Sequence, residues 1–239
     1  MKKTALITGA SRGIGQAIAI NLASAGYNLA LVARNEEQLR AVQQQCQESG
    51  TQENINVEIF PFDLSHVEKI PALVTAIHDK LNHLNVLINN AGTAKIGTID
   101  ESDMAAWDHV MNINLRAAVA LTKLTLPIIE KNKSGAVINI ASIAAKMTMA
   151  GGTSYNATKF GLLGFSGALF EDIREKNIKV CAICPGYVST DLVRKQRHVD
   201  FSKMIQPQDI AEIVNFAIHS PSTACPTEII VRPQRSPYL

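Results

Sequence analysis

The sequence lacks an excess of either charge, has no long apolar run and contains only four cysteines. Its 239 residues include 23 Lys and Arg against 21 Asp and Glu, and the resulting net charge of +2 is too weak for a nucleic-acid-binding surface. No apolar run approaches the roughly 18 residues that a membrane-spanning helix needs. We therefore expect no nucleic-acid partner and no membrane partner, and we predict no metal site.

Two of the cysteines, Cys181 and Cys184, form a C-x-x-C pair of the kind found in redox proteins. They lie in the apolar run Val180–Cys184, which is typical of a strand, and residues three apart on a strand face opposite ways. Because a redox C-x-x-C normally opens a helix, this spacing favours buried apolar thiols.

The amino-terminal residues resemble a signal peptide only briefly. Two lysines precede an apolar stretch, but Thr8, Gly9 and Arg12 interrupt it before a signal-peptide core can form. The apolar residues running into Gly9 instead indicate a first β-strand. With no signal peptide predicted, we expect the protein in the reducing cytoplasm.

Short apolar runs alternate with longer amphipathic stretches along the whole chain, and no linker or low-complexity segment interrupts them. This alternation predicts βαβ units, a parallel sheet with helices on both faces, and a single doubly wound α/β domain over residues 1–239. The predicted strands are Thr4–Thr8, Asn28–Ala33, Asn56–Phe60, Asn85–Asn89, Ala136–Ala141, Lys179–Cys184 and Glu228–Val231. The predicted helices are Gly13–Ala25, Glu36–Glu48, Val67–Lys80, Met104–Lys131, Thr153–Lys176 and Pro207–His219.

The first predicted strand runs into a glycine-rich turn that opens the first predicted helix. Glycines in such a turn allow a tight bend, close approach of the backbone to a pyrophosphate and close packing of the helix on the strand. The free N–H groups and positive dipole end of the helix favour a bound phosphate. An ordinary βα turn is the alternative, but the position within a βαβ unit favours a dinucleotide site. The turn reads Thr8-Gly9-Ala10-Ser11-Arg12-Gly13-Ile14-Gly15.

The end of the second predicted strand bears on which dinucleotide binds. Enzymes that use NAD usually carry an acidic residue there for the ribose 2′-OH, whereas an arginine accommodates the 2′-phosphate of NADP. Here the strand ends at Ala33-Arg34, and no carboxylate follows until Glu36. Arg34 and Arg12 could each reach a 2′-phosphate, or both could be solvated loop arginines. The missing acid favours NADP(H).

Three further residues fit one chemistry. Ser142 follows the fifth predicted strand, and Tyr155 and Lys159 share a helix face because they are four residues apart. A positive charge beside a phenol favours the phenolate, so such a tyrosine could exchange a proton with a carbonyl or alcohol. Alone, a Tyr–Lys pair is more often a packed phenol beside a solvated amine. The pair becomes a catalytic candidate because it accompanies a nucleotide-binding turn.

With these motifs the sequence resembles the short-chain dehydrogenase/reductase family over nearly its whole length. The resemblance implies a Rossmann-type fold with a seven-stranded parallel sheet and a substrate lid at about residues 190–206. It also implies that Tyr155 is the general acid, that Ser142 hydrogen-bonds the substrate oxygen, that Lys159 lowers the Tyr155 pKa and binds the nicotinamide ribose, and that Asn114 holds a relay water. The matching motifs are Thr8-Gly9-x-x-x-Gly13-x-Gly15, Asp63, Asn89-Asn90-Ala91-Gly92, Asn114, Ser142, Tyr155-x-x-x-Lys159 and Pro185-Gly186.

The resemblance assigns further cofactor contacts, and each has a structural alternative. Asp63 would contact the adenine, or it could cap the turn before Ser65. Asn89, Ala91 and Gly92 would line the adenosine and ribose, or they could simply form a turn. The segment after the sixth predicted strand would hold the nicotinamide carboxamide through Pro185, Gly186, Val188 and Thr190, or its Pro185-Gly186 pair could only end the strand.

The chain most resembles NADP-dependent 3-oxoacyl reductases and 3-hydroxy-acid dehydrogenases, so we expect an NADPH-dependent reductase of a ketone or aldehyde. The predicted lid carries Arg194, Lys195, Arg197 and Lys203. These cations could attract an anionic or carrier-linked substrate, or they could form a solvated helix face. A non-catalytic NADP-binding regulatory or scaffold protein is the alternative function.

Three glycines in the predicted helix after Tyr155 bear on assembly. Gly161, Gly164 and Gly167 recur every three residues, and each glycine within a helix costs about 1 kcal/mol relative to alanine. Close packing against the sheet within one subunit would offset this cost. The family resemblance favours a helix–helix subunit interface instead, and hence a homodimer or homotetramer.

Overall fold

Seven strands form one parallel sheet in the computed structural model, which describes residues 2–50, 54–193 and 199–238. Their order across the sheet is β3-β2-β1-β4-β5-β6-β7, so the chain runs outward from β1 in one direction and then outward from β4 in the other. In such sheets a crevice opens at the carboxyl ends of the strands where the direction changes. The strands are β1 (Thr4–Thr8), β2 (Asn28–Ala33), β3 (Val57–Pro61), β4 (Val86–Asn89), β5 (Gly135–Ile140), β6 (Ile178–Pro185) and β7 (Glu228–Val231).

Helices cover both faces of this sheet. Helices α1, α2 and α7 pack on one face, and α3, α5 and α6 pack on the other. Among the described residues, no helix is both long and apolar enough to cross a membrane. The helices are α1 (Gly13–Ser24), α2 (Glu36–Ser49), α3 (Ile70–Leu81), α4 (Met104–Met111), α5 (Ala117–Glu130), α6 (Thr153–Ile173) and α7 (Pro207–His219).

The central strands are mostly apolar because both of their faces are buried. In β1, Ala5 and Ile7 face the α1 layer, whereas Leu6 faces the α3 layer. Cys181 and Cys184 are likewise buried, belong to different apolar clusters and are not joined by a disulfide. The predicted doubly wound α/β fold and the buried thiols are therefore confirmed.

The predicted helix Met104–Lys131 is the largest departure from the sequence expectation. The structure divides it into α4, a π turn over Asn112–Arg116 and α5. A π turn is a single wider turn inside an otherwise continuous helical stretch, so the sequence pattern predicts one long helix. Pro127, inside α5, does not end that helix.

Other boundaries moved by a few residues. The predicted helix from Val67 begins as one 3₁₀ turn, and the regular helix starts at Ile70 with Pro71 in its first turn. Proline is tolerated there because the first N–H groups of a helix have no partner within the helix. At the other end, the predicted helix to Lys176 closes in a 3₁₀ turn after Ile173.

Candidate active site

The turn between β1 and α1 is built around glycine geometry. Gly9 and Gly13 have φ angles of +64° and +57°, which disfavour other residues. A Cβ added to Gly15 would lie 2.2 Å from the carbonyl oxygen of Gly9. The backbone therefore folds back on itself, and a side chain at Gly15 would force the turn open.

The amino terminus of α1 fits an anionic group. Arg12 is the N-cap residue, its side chain makes no capping hydrogen bond, and the first turn contains no acidic residue. The first N–H groups of the helix therefore lack a side-chain acceptor, and they combine with the positive end of the helix dipole. This arrangement suits the pyrophosphate of a dinucleotide.

Thr8, the last residue of β1, joins the glycine turn to the end of β4. Its side chain is buried, and its hydroxyl donates to the carbonyl of Ile88 and accepts from the N–H groups of Asn90 and Ala91. The hydroxyl is fully used in joining the end of β1 to the end of β4. The hydroxyl therefore has a structural role, and the cofactor contact of Thr8 stays a prediction.

Asn89 and Asn90 have different surroundings. The Asn89 amide donates to Asn139 and Thr122 inside the sheet–helix interface, and only 4% of Asn89 is exposed. Its amide nitrogen therefore has a structural role, and its predicted place at the adenosine site stays a prediction. The Asn90 amide instead donates to the carbonyls of Thr8 and Gly9, which fixes the glycine turn against β4.

The two arginines predicted to face a 2′-phosphate do not meet. Arg34 is exposed after β2 and lies near Asp63. Partial burial raises the pKa of Asp63, but a hydrogen bond from Ser65 and the charge of Arg34 outweigh it and leave the pKa below its usual value. The Asp63 carboxylate accepts the Ser65 N–H at 2.9 Å, so it also caps that turn.

Arg12 points to the opposite side of the crevice. Its guanidinium forms an exposed ion pair with Asp191, with an N–O distance of 2.9 Å. Thr190 lies against the same turn, because a Cβ added to Gly13 would be 3.2 Å from its methyl group. The segment after β6 therefore crosses the glycine turn, and Arg34 alone remains on the β2 side.

The segment from Pro185 to Thr190 sits where the resemblance predicts, at the carboxyl end of β6. The Gly186 N–H donates to the carbonyl of Val231, and Val188 is buried in a bridge to Ile205. Residues 194–198, which carry Arg194, Lys195 and Arg197, lie outside the described residues. Lys203, the fourth predicted lid cation, pairs with Asp200 at 3.1 Å.

Ser142 and Tyr155 meet at the carboxyl end of β5. Ser142 follows the strand, its hydroxyl accepts the Ala144 N–H at 3.1 Å, and it also hydrogen-bonds the hydroxyl of Tyr155. Tyr155 lies in the first turn of α6. Burial raises the pKa of Tyr155, and the hydrogen bond with Ser142 only partly offsets this effect.

Lys159 lies one turn further along α6 and is buried. Its ammonium nitrogen donates to the carbonyl of Ile140 at 2.9 Å and lies 5.7 Å from the centre of the Tyr155 ring. Burial lowers the pKa of Lys159 to about 8. Burial outweighs the other influences on Tyr155 and keeps the phenol protonated, so the predicted lowering of its pKa by Lys159 stays a prediction.

Asn114 lies in the π turn and is held entirely by protein partners. Its amide oxygen accepts the Thr93 N–H at 2.8 Å, and its amide nitrogen donates to the Thr93 carbonyl and to the Thr158 hydroxyl. Only 1% of the residue is exposed, but it lines a small cavity together with Asn89 and Ala91, and its role in holding a relay water stays a prediction. Its observed role is to fix the loop after β4 against α6.

Gly92 connects the two halves of the site. A Cβ added there would lie 3.6 Å from the Asn114 amide oxygen and 3.7 Å from the Lys159 nitrogen. Its neighbour Ala91 has its Cα 2.9 Å from the position of an added Gly9 Cβ. The glycine turn, the end of β4 and the Tyr155–Lys159 pair therefore share one crevice.

Sequence reasoning missed the polar residues that support this crevice. Asn139 donates to Ser166 and accepts from Asn89 within the apolar interior. Asn156, next to Tyr155, bonds to the loop that follows Ser142. A lone asparagine in an apolar run is a usable signal for such a role, because buried amides need hydrogen-bond partners.

Comparison with known proteins agrees with this geometry. A family model described as short chain dehydrogenase matches residues 3–200. An uncharacterized oxidoreductase of Staphylococcus epidermidis is 30% identical over 234 residues, which make up 97% of each chain.

Solved structures give the same picture. A metagenomic short-chain oxidoreductase in complex with NADP is 33% identical, with a TM-score of 0.84 over 98% of each chain. Carveol dehydrogenase from Mycobacterium avium in complex with NAD has a TM-score of 0.88 over 97% of this chain and 96% of that one. Its 20% identity makes it a likeness of fold alone.

The hydroxyl of Thr8 generates a stability prediction. Thr8→Val keeps the shape but leaves the Ala91 N–H without its acceptor and removes one of the two acceptors of the Asn90 N–H, so the free energy of unfolding should fall by about 1–3 kcal/mol. Urea unfolding measures the difference. Thr75→Val, at an exposed position of α3, is the matched control and should change it by less than about 0.5 kcal/mol. Equal losses in both variants would contradict the structural role of Thr8.

Proposed function

The chain is an oxidoreductase of the short chain dehydrogenase family, and on that premise we propose that it uses NADPH to reduce a ketone or aldehyde to the alcohol. The observation that carries the proposal is the Ser142–Tyr155–Lys159 group, which Gly92 joins to the uncapped amino terminus of α1. A proton donor thus lies in the same crevice as a dinucleotide-binding turn.

The side chains divide the work of carbonyl reduction. A bound dinucleotide would supply the hydride at its nicotinamide. Tyr155, protonated because burial raises its pKa, donates its hydroxyl proton to the oxygen of the substrate as that oxygen becomes an alcohol. Ser142 donates a hydrogen bond to the same oxygen and stabilises its developing charge. Lys159, when protonated, stabilises the phenolate that Tyr155 leaves behind.

The surroundings of Arg34 support a preference for NADPH. The strand before it supplies no carboxylate for a ribose 2′-OH, and Arg34 is exposed at the carboxyl end of β2. The Asp63 carboxylate lies close to Arg34 and offsets part of the positive charge of Arg34. The Ser65 N–H fixes this carboxylate in the turn after β3. Arg34 is therefore the cation that would meet the 2′-phosphate.

This assignment predicts the cofactor preference. The kcat/KM with NADPH should exceed that with NADH by about ten- to hundredfold, because a charge-assisted contact is worth about 1.5–3 kcal/mol. Arg34→Ala should remove most of this preference. Arg12→Ala is the comparison variant and should retain more of it, because Arg12 is paired with Asp191. Equal use of both cofactors by the unmodified protein would contradict the assignment.

The role of Tyr155 predicts a loss of turnover without a loss of binding. Tyr155→Phe should lower kcat by about 10²–10⁴, while the Kd for NADPH, measured by fluorescence, stays within about twofold. The reductive kcat should also fall as pH rises through about 8, where Lys159 loses its proton and no longer stabilises the phenolate. A variant that keeps most of its activity would show that another group donates the proton.

The finer substrate assignment stays a proposal from the sequence. A 3-oxoacyl or 3-oxo acid substrate, or one linked to an acyl carrier, rests on the resemblance to such reductases and on the basic residues 194–198. Those residues lie outside the described part of the chain. Of the four predicted lid cations, Lys203 is the one that lies within the described residues, and it is paired with Asp200.

We further propose that two copies associate through the outer face of α6. Gly164 and Gly167 lie on this exposed face, and a Cβ added to either would meet no atom within 4 Å. Phe160 on the same helix and Val119 on α5 are exposed apolar residues. The inward residues are Leu162 and Leu169, so packing against the sheet does not explain the two outer glycines.

This surface predicts a change of oligomeric state. Gly164→Glu introduces a charge into the proposed contact and should shift the protein towards monomers in light scattering after size-exclusion chromatography. Gln47→Glu, which adds the same charge to an exposed position of α2, is the control and should leave the mass unchanged. If Gly164→Glu also leaves the mass unchanged, the α6 face is not the interface.

A further inference from the structure

Two loops beside the Ser142–Tyr155 group expose apolar side chains. Ile96, in the loop after β4, is 59% exposed, and Met147 and Met149, in the loop after Ser142, are 53% and 40% exposed. Single exposed apolar residues are common in folded proteins, whereas a group of them next to a crevice indicates a binding surface.

Backbone contacts between the two loops bring Ile96 and Met149 close to one another. Gly97 and Gly152 form a parallel bridge, and the Gly97 N–H donates to the carbonyl of Gly151 at 2.9 Å. A Cβ added to Gly151 would lie 3.3 Å from the Ile96 side chain, and one added to Gly152 would lie 2.5 Å from the Met149 side chain. Ile96 and Met149 therefore flank one bridge, immediately before the helix turn that carries Tyr155.

Asn156 fixes the methionine loop relative to the reacting group. It directly follows Tyr155, and only 7% of it is exposed. Its amide nitrogen donates to the carbonyls of Ala144 and Met147 at 2.7 and 2.9 Å, and its amide oxygen accepts the Met149 N–H at 3.3 Å. The main chains of both methionines are thus tied to the first turn of α6.

The charges on these loops do not favour an anion. Lys146 is paired with Glu228 at 2.8 Å, and it is the one charged residue in the segment 143–152. The other loop, residues 93–103, has Lys95 but also Asp100, Glu101 and Asp103. A carboxylate held against these loops would meet more negative than positive charge.

We propose that Ile96, Met147 and Met149 form an apolar subsite, which binds the alkyl or ring portion of an uncharged ketone or aldehyde. The flexible thioethers of methionine adapt to chains of different shape. Asn156 is a positioning residue that holds this subsite in register with Tyr155. The inference rests on the proposed carbonyl reduction and deepens it by naming the substrate class.

A series of straight-chain methyl ketones tests the subsite. From 2-butanone to 2-octanone with NADPH, kcat/KM should rise by about three- to fourfold for each methylene that becomes buried. In Met147→Ser/Met149→Ser this increment should fall below about twofold. Phe216→Ser removes an exposed apolar side chain from α7, in the layer on the other face of the sheet, and should leave the increment intact.

Charge is tested with matched pairs of substrates. 2-Pentanone and 4-oxopentanoate share a five-carbon chain with a methyl ketone, and they differ in a carboxylate at the far end. The neutral ketone should have the higher kcat/KM by about tenfold. A higher value for the carboxylate would overturn the proposal and favour an anionic substrate, as would an unchanged chain-length increment in the serine double variant.

Equilibrium binding separates this inference from the proposed reaction. The Kd values of the same ketones for the NADPH-loaded Tyr155→Phe variant, measured by calorimetry, should show the same increment per methylene without turnover. If no ketone is reduced by the unmodified protein but the increment in Kd is present, carbonyl reduction fails and the subsite stands. If reduction occurs but neither Kd nor kcat/KM depends on chain length, the subsite fails.

The positioning role of Asn156 has its own readout. Asn156→Ala keeps both methionines but releases their loop, so the chain-length increment should fall while the Kd for NADPH stays within about twofold. The apolar surface could instead bind a second copy of the chain. Light scattering of the Met147→Ser/Met149→Ser variant tests this alternative by measuring the mass of the particle in solution. A change of mass with an unchanged increment would identify the surface as a subunit contact and overturn the proposal.

Discussion

The close approach of two backbones, one leaving β1 and the other leaving β4, is the constraint on which the site depends. Gly9 and Ala91 come so near that no side chain fits between them, and Thr8 and Asn90 hold them together with hydrogen bonds. Because the sheet order reverses between these two strands, this contact sets the floor of the crevice. It places an anion-binding helix end and a proton donor on opposite sides of one cavity.

Burial sets the protonation states within that crevice. It disfavours charge on both members of the Tyr155–Lys159 pair, so it raises the pKa of the phenol and lowers that of the amine. The ground state therefore keeps the proton on Tyr155, which is the form required of an acid. Ser142 opposes the shift by hydrogen bonding but does not reverse it.

Periodicity and composition predicted the strands, the helix layers and the buried cysteines, because apolar spacing reports burial directly. The same reasoning placed the glycine turn and the Ser142–Tyr155–Lys159 group, but it did not predict the hydrogen bonds that fix side chains within the motifs. Thr8 and Asn89 belong to the recognised pattern, yet the structure turns them inward. The direction in which a side chain faces at the end of a strand depends on contacts between distant segments, such as β4 with β5. A single sequence does not show these contacts.

The exposed pair between Arg12 and Asp191 joins the turn before α1 to the segment after β6. An anion that draws the guanidinium towards itself competes with Asp191, so occupancy of the turn and the position of that segment are thermodynamically linked. Linkage is reciprocal: whatever displaces the segment must alter anion affinity by the same factor. Since both partners are solvent-exposed, salt screens the pair, and this coupling weakens as ionic strength rises.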